Sequence, residues 1–168
     1  MTFYAGLDAG SNGSIALLSE DRTVKTISLK RPESEVAEFL REYASQVKFA
    51  VVERQWMRLG DPPRVGVLIE SYGFLQGLLW ANNIPHDATI TPQQWQLKLM
   101  RCTSGGDKAW LAKVARAWFP NVEITLGNCD AILISLYCAH IHGGLEIPLF
   151  PKHLNEPNAS NVEVLREF

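Results

Sequence analysis

The chain has little cysteine, no long apolar run and no surplus of basic charge, and each shortage narrows what it can be. Only three cysteines, Cys102, Cys129 and Cys138, occur in 168 residues. Their number is odd and no CxxC spacing is present, which argues against a disulfide framework and for free thiols in a reducing compartment. Cys138 and His142, four apart on one expected helix, lack the further partners a metal centre needs. No apolar run approaches the roughly 20 residues of a membrane span. Met1-Thr2-Phe3-Tyr4 leads straight into a strand, without a basic n-region and an apolar h-region, so a cytoplasmic location is expected and no membrane partner. Internal repeats and low-complexity segments are also missing.

The formal net charge is −2, so composition alone does not call for a polyanionic partner, whose affinity comes from Lys and Arg. The basic residues are nevertheless grouped. Arg54, Arg58 and Arg64 follow Glu53, and Lys98, Arg101, Lys108, Lys113 and Arg116 fall in one stretch. Two bound divalent cations would turn −2 into about +2. With 46% hydrophobic and 20% charged residues, the chain has the make-up of one globular domain with a substantial core.

Patterning predicts strands over 3–8, 14–19 and 23–30, joined by tight turns into an antiparallel meander. Val36, Phe39, Leu40 and Tyr43 predict a helix over 33–47, and the apolar run 49–54 predicts a strand covered on both faces. The stretch 65–83 reads as a helix apolar nearly all round, hence buried on more than one side. Gly73 and Gly77 within it suit close approach of another helix, either at a subunit interface or inside the core. A short strand near 86–90 precedes Thr91-Pro92-Gln93-Gln94, which carries the signs of a capped helix start. Helices over about 107–119 and 129–142 follow, the latter stopped by Gly143-Gly144. The order βββ-α-β-α-β-α-α-α predicts a mixed α/β domain over 1–147, with 148–168 as a C-terminal tail or arm.

Three acids occupy costly places. Asp8 ends the first strand in Gly6-Leu7-Asp8-Ala9-Gly10-Ser11-Asn12-Gly13. Glu53 ends another in Ala50-Val51-Val52-Glu53-Arg54-Gln55-Trp56. Asp130 opens an apolar helix in Asn128-Cys129-Asp130-Ala131-Ile132-Leu133. Each has a local explanation: a turn for Asp8, an arginine partner for Glu53, and a helix N-terminus capped by Asn128 for Asp130. Taken together, all three lie where an apolar element meets a loop, and one metal site explains them at once. Small hard cations take carboxylate oxygens, and a pair of Mg²⁺ ions can drive phosphodiester hydrolysis.

These segments resemble the RuvC family of Holliday-junction resolvases, on the RNase H-like fold. The resemblance covers about residues 3–142 in element order. It implies a central mixed β-sheet of about five strands flanked by helices. It also implies a Mg²⁺-dependent endonuclease acting on four-way junctions and other branched DNA, with two ions for which Mn²⁺ can substitute. Asp8, Glu53 and Asp130 fall at the family's metal-binding, catalytic carboxylates. Trp56 falls where the family carries an aromatic that stacks into the opened junction. Thr103-Ser104-Gly105-Gly106-Asp107-Lys108 resembles its Gly-containing turn and DNA-contacting lysine. With Arg54, Arg58 and Lys98, these make the expected DNA contacts. The flavour is nearest to phage relatives, which would place the protein in a host cytoplasm.

The family also supplies an Asp or His about three residues before its last Asp, and here that place is Gly127. Either three carboxylates suffice, Asn128 or Glu123 assists through a water, or the second metal site is weak, and a catalytically weak or inactive junction binder is an alternative. An RNase H-type nuclease for RNA–DNA hybrids is the other alternative. The Asp8 loop also resembles the first phosphate loop of sugar kinases and actin-like ATPases, but those need a second similar domain. Two symmetric cuts call for a homodimer, and the long helix predicts its contact, with Phe74 or Leu78 near the centre.

Overall fold

The computed structural model describes residues 1–54, 64–105, 107–151 and 154, the side chains at 64 and 65 excepted. Strands β1 (Phe3–Asp8), β2 (Ser14–Ser19) and β3 (Val24–Ser28) form the expected antiparallel meander. Helix α1 (Glu33–Tyr43) ends in a 3₁₀ turn, Ala44–Gln46, and leads to β4 (Val47–Val52). Then come α2 (Arg64–Ala81), β5 (His86–Asp87), α3 (Pro92–Met100), α4 (Lys108–Trp118) and α5 (Cys129–Gly143). The five strands lie in the order β3-β2-β1-β4-β5. β4 runs parallel to β1, and β5 parallel to β4. β1 is the middle strand and every residue in it is buried.

Alternation along β1 distributes the two cores. Phe3, Ala5 and Leu7 pack with Val36 and Leu40 of α1 and with Leu75 and Leu79 of α2. Tyr4 joins the opposite cluster, built on α3, α4 and α5. Gly6 faces that side too: a Cβ there would meet Ser135 N at 2.2 Å and Ala131 O at 2.3 Å. The absent side chain lets the α5 backbone lie directly on β1. α5 is apolar all round because it is buried from Cys129 to Ala139 except at Asp130 and Tyr137, packed on β1, β2 and β4.

The helix starts follow their local chemistry. Thr91 N–H donates to Gln94 Oε1 at 2.8 Å and Gln94 N–H returns to Thr91 Oγ1 at 3.3 Å, closing the expected capping box. Asp107 caps α4 by accepting from Trp110 N–H at 2.9 Å. Asn128 holds the cap position of α5, but its side chain makes no cap bond. Its amide instead accepts from Thr125 N–H and donates to Glu123 O, folding the loop before the helix.

Packing adds two points, one on α2 and one on the segment after α5. α2 is not buried on several sides: Val67 is 49% exposed, Ile69 39% and Trp80 65%. Among the described residues it packs on one side of the sheet only, and none of them covers its outer apolar face. The segment after α5 also continues to pack. Phe150 lies against Trp110 and Trp118 at centroid distances of 5.9 and 6.3 Å, and Trp118 Nε1 donates to Leu149 O at 3.2 Å.

Candidate metal and nucleic-acid site

Register and pleat bring the acids to one face. Leu7 pairs with Val52 in the parallel β1–β4 ladder, so Asp8 and Glu53 are the next residues along adjacent strands. Both follow their α5-side neighbours, Gly6 and Val51, by two residues and so share that face. Asp130 stands in the first turn of α5, the helix that lies on this face. The alternation that buries Leu7 and Val52 on one side thus delivers Asp8 and Glu53 to the other.

Lys108, the first residue of α4, reaches into this cluster. Its Nζ lies 3.0 Å from Asp130 Oδ2 and 3.6 Å from Asp8 Oδ2. The lysine side chain is 41% exposed, whereas those of Asp8 and Asp130 are only 8% and 14% exposed. Burial, then the nearby Asp130 charge, push the Asp8 carboxyl up to about 7, and the opposing pull of Lys108 does not cancel them. Burial works against the Lys108 charge, but Asp130 and Asp8 outweigh it and hold its proton more tightly than usual. Cys129 supports the same cluster, its Sγ donating to Asp130 Oδ1 at 3.3 Å. Burial, reinforced by the Asp130 charge, pushes that thiol up to about 12, so it stays a neutral donor. Asp130 therefore offers Oδ1 to a thiol and Oδ2 to an ammonium.

Glu53 is held differently. Its Oε2 accepts the indole N–H of Trp95 at 2.7 Å in a buried contact, and its backbone N–H donates to Leu7 O at 3.0 Å. Trp95 is 1% exposed, so the third acid is anchored from α3. Nothing in the sequence around Trp95 marked it as a partner of a residue 42 positions away. Among the described residues no group of three or more His, Cys, Asp or Glu side chains could hold a metal ion. Of the three expected carboxylates, Asp8 and Asp130 share the Lys108 ammonium, while Glu53 accepts the Trp95 indole N–H.

The donor set of Asp8 and Asp130 still fits a small hard cation. Two carboxylates, nearly buried and facing one another, have among the described residues only a half-exposed lysine to offset them. Gly127 adds no ligand; a Cβ there would meet Asn12 O at 3.2 Å. Asn128 is committed to its own loop.

The expected DNA contacts divide. Lys108 stands at the acids. Arg54 is half-buried beside them in sequence, its N–H donating to Ile90 O at 2.8 Å. Lys98 is exposed on α3, lining a groove with Ile147 and Phe150. Trp56 and Arg58 lie outside the described residues. Phe74 and Leu78 are half-buried and lean into the α1–α2 core. The open face of α2 is instead that of Gly73, Gly77 and Trp80, and a Cβ at either glycine would meet nothing within 4 Å.

No protein-family model matches the chain, and no curated protein matches it. Solved structures do. The five-stranded mixed sheet flanked by helices is an RNase H-like fold in its RuvC-like form. Thermus thermophilus RuvC in complex with a Holliday junction substrate superposes with TM-score 0.56 at 16% identity, over 89% of this chain and 100% of that one. A second Thermus thermophilus RuvC structure gives 0.51 at 20% identity, over 88% and 100%. The chain therefore has a RuvC-like fold. Among the described residues no helix is long and apolar enough to cross a membrane.

Proposed function

We propose that the protein is a Mg²⁺-dependent endonuclease that cuts branched DNA, chiefly four-way junctions, as a homodimer. The observation that carries this reading is the pairing of Asp8 and Asp130 across one lysine, with Glu53 at the end of the adjacent strand. The likeness in fold to a protein solved with a Holliday junction adds to it. Asp8 and Asp130 would hold the ion, with Glu53 as a further ligand once it leaves or shares its indole partner. Bound Mg²⁺ supplies an activated water and stabilises the departing oxygen of the phosphodiester. Cys129 orients Asp130, and Trp95 fixes Glu53. Lys108 stands ready for a phosphate, with Arg54, Lys98, Trp56 and Arg58 as the further DNA contacts.

The direct test incubates the protein with a labelled four-way junction, a linear duplex and an RNA–DNA hybrid, each with and without Mg²⁺ or Mn²⁺. Paired cuts in the junction, dependent on the ion, are expected. Cutting of the hybrid alone would replace the reading with an RNase H-type activity. Asp8→Asn, Glu53→Gln and Asp130→Asn should each abolish cutting and leave junction binding intact.

A second reading, a junction binder with weak or no catalysis, has its own observation. Gly127 offers no ligand where the family has one, and Glu53 is taken up by Trp95. Tight junction binding with no cutting under any divalent ion would select it. For the dimer, the exposed face of α2 around Gly73, Gly77 and Trp80 is the proposed contact, a modest shift from Phe74 and Leu78. Sedimentation at micromolar concentration should give a dimer; a monomer both alone and on junction DNA would defeat this part.

A further inference from the structure

We propose that the Lys108 ammonium is a displaceable plug: it occupies the cation position between Asp8 and Asp130, and a divalent ion enters only as Lys108 leaves. The inference rests on the metal-dependent reading above and says how that same site is regulated. The oxygens that Lys108 contacts, Oδ2 of Asp8 and Oδ2 of Asp130, face one shared position. An ion bonding both would need about 2.0–2.1 Å to each oxygen for Mg²⁺. Such an ion would lie against an ammonium that is itself 3.0 and 3.6 Å from those atoms. A monovalent and a divalent cation at that separation repel strongly in a half-buried site. They therefore exclude one another.

The lysine is built to leave. Its side chain is 41% exposed, whereas both carboxylates are nearly buried. Its backbone is fixed at the first residue of α4 by the Asp107 cap, so the flexible stem moves and the helix does not. Among the described residues Lys108 makes the only ion pairs to Asp8 and Asp130. Cys129 contacts the other oxygen of Asp130 and does not compete for the position. A phosphodiester approaching the cluster offers the ammonium a new anion. DNA thus draws Lys108 outward and opens the carboxylates to the ion, so ion and DNA bind with positive coupling. Without DNA the plug keeps the site poorly loaded.

The test titrates Mg²⁺ calorimetrically into DNA-free wild type, Lys108→Met and Lys108→Gln. Removing the plug is expected to tighten Mg²⁺ binding by roughly tenfold or more. A lysine serving only as a DNA contact would leave that affinity unchanged. Acetylation footprinting of the wild type by mass spectrometry needs no variant to fold. Lys108 should become more reactive when Mg²⁺ is added, while exposed Lys113 stays constant. Equal or weaker Mg²⁺ binding by a folded variant overturns the inference, as does Lys108 reactivity unmoved by Mg²⁺. If junctions are cut and the variants bind Mg²⁺ no tighter than wild type, the plug fails and the nuclease reading stands. If neither wild type nor variants bind Mg²⁺ and nothing is cut, both fail.

Discussion

Gly6→Ala is the substitution through which fold and site can be tested together. The added Cβ would lie 2.2 Å from Ser135 N, 2.3 Å from Ala131 O and 2.8 Å from Ile134 C, all backbone atoms of α5. No rotamer relieves such a contact, so α5 must lift from β1 by about 1 Å to restore ordinary separation. Overpacking against movable side chains costs about 1–3 kcal/mol. Here the obstacle is the backbone of a helix buried against β1 and β2, so about 3 kcal/mol or more is expected. For a domain of this size that lowers Tm by roughly 6–12 °C. The same lift carries Asp130 away from Asp8, and a displacement of about 1 Å can lower the rate by about 100-fold. Urea denaturation measures the first effect, and junction cutting by the folded fraction measures the second. Gly66→Ala, away from the proposed Gly73, Gly77 and Trp80 contact, is the control: its Cβ meets nothing within 4 Å, and within a helix it should be neutral or stabilise by up to about 1 kcal/mol. A Gly6→Ala protein with wild-type midpoint and full activity would refute the close α5–β1 contact and the site geometry built on it.

Three further outcomes follow from the structure. Asp8 is raised to about 7 from an ordinary 3.8, so the folded state favours its neutral form. Ion-free wild type should lose stability as pH rises through that window, and Asp8→Asn should gain on it; a Tm difference constant between acid and neutral pH would contradict this. Tyr4 carries a buried hydroxyl with no hydrogen-bond partner among the described residues, so Tyr4→Phe should be neutral or stabilise by about 1 kcal/mol in urea denaturation. A clear loss of stability would show that the hydroxyl has a partner. Trp95→Phe removes the indole donor to Glu53 and should cost about 1–3 kcal/mol. Cutting should fall as well, and unchanged activity in the folded variant would remove Trp95 from the positioning of Glu53.

The elements and their order were legible in the chain because they are set by local chemistry. Short, largely apolar runs bounded by turn residues mark β1 and β2, both buried throughout, Thr91-Pro92-Gln93-Gln94 writes its own capping box, and Gly144 at φ 72 stops α5. The candidate acids were legible for a related reason: a carboxylate at the end of an apolar run is conspicuous in one dimension. Tertiary structure alone decided what those acids meet. Lys108 pairs with Asp8 across 100 positions, and Trp95 reaches Glu53 across 42; neither link leaves a periodic trace, because both depend on how α3 and α4 settle against α5. The apolar surface of α2 was legible for what it is but not for what covers it. Composition reports that a face is apolar, but only packing decides whether the chain itself covers it, and here Trp80 stays 65% exposed.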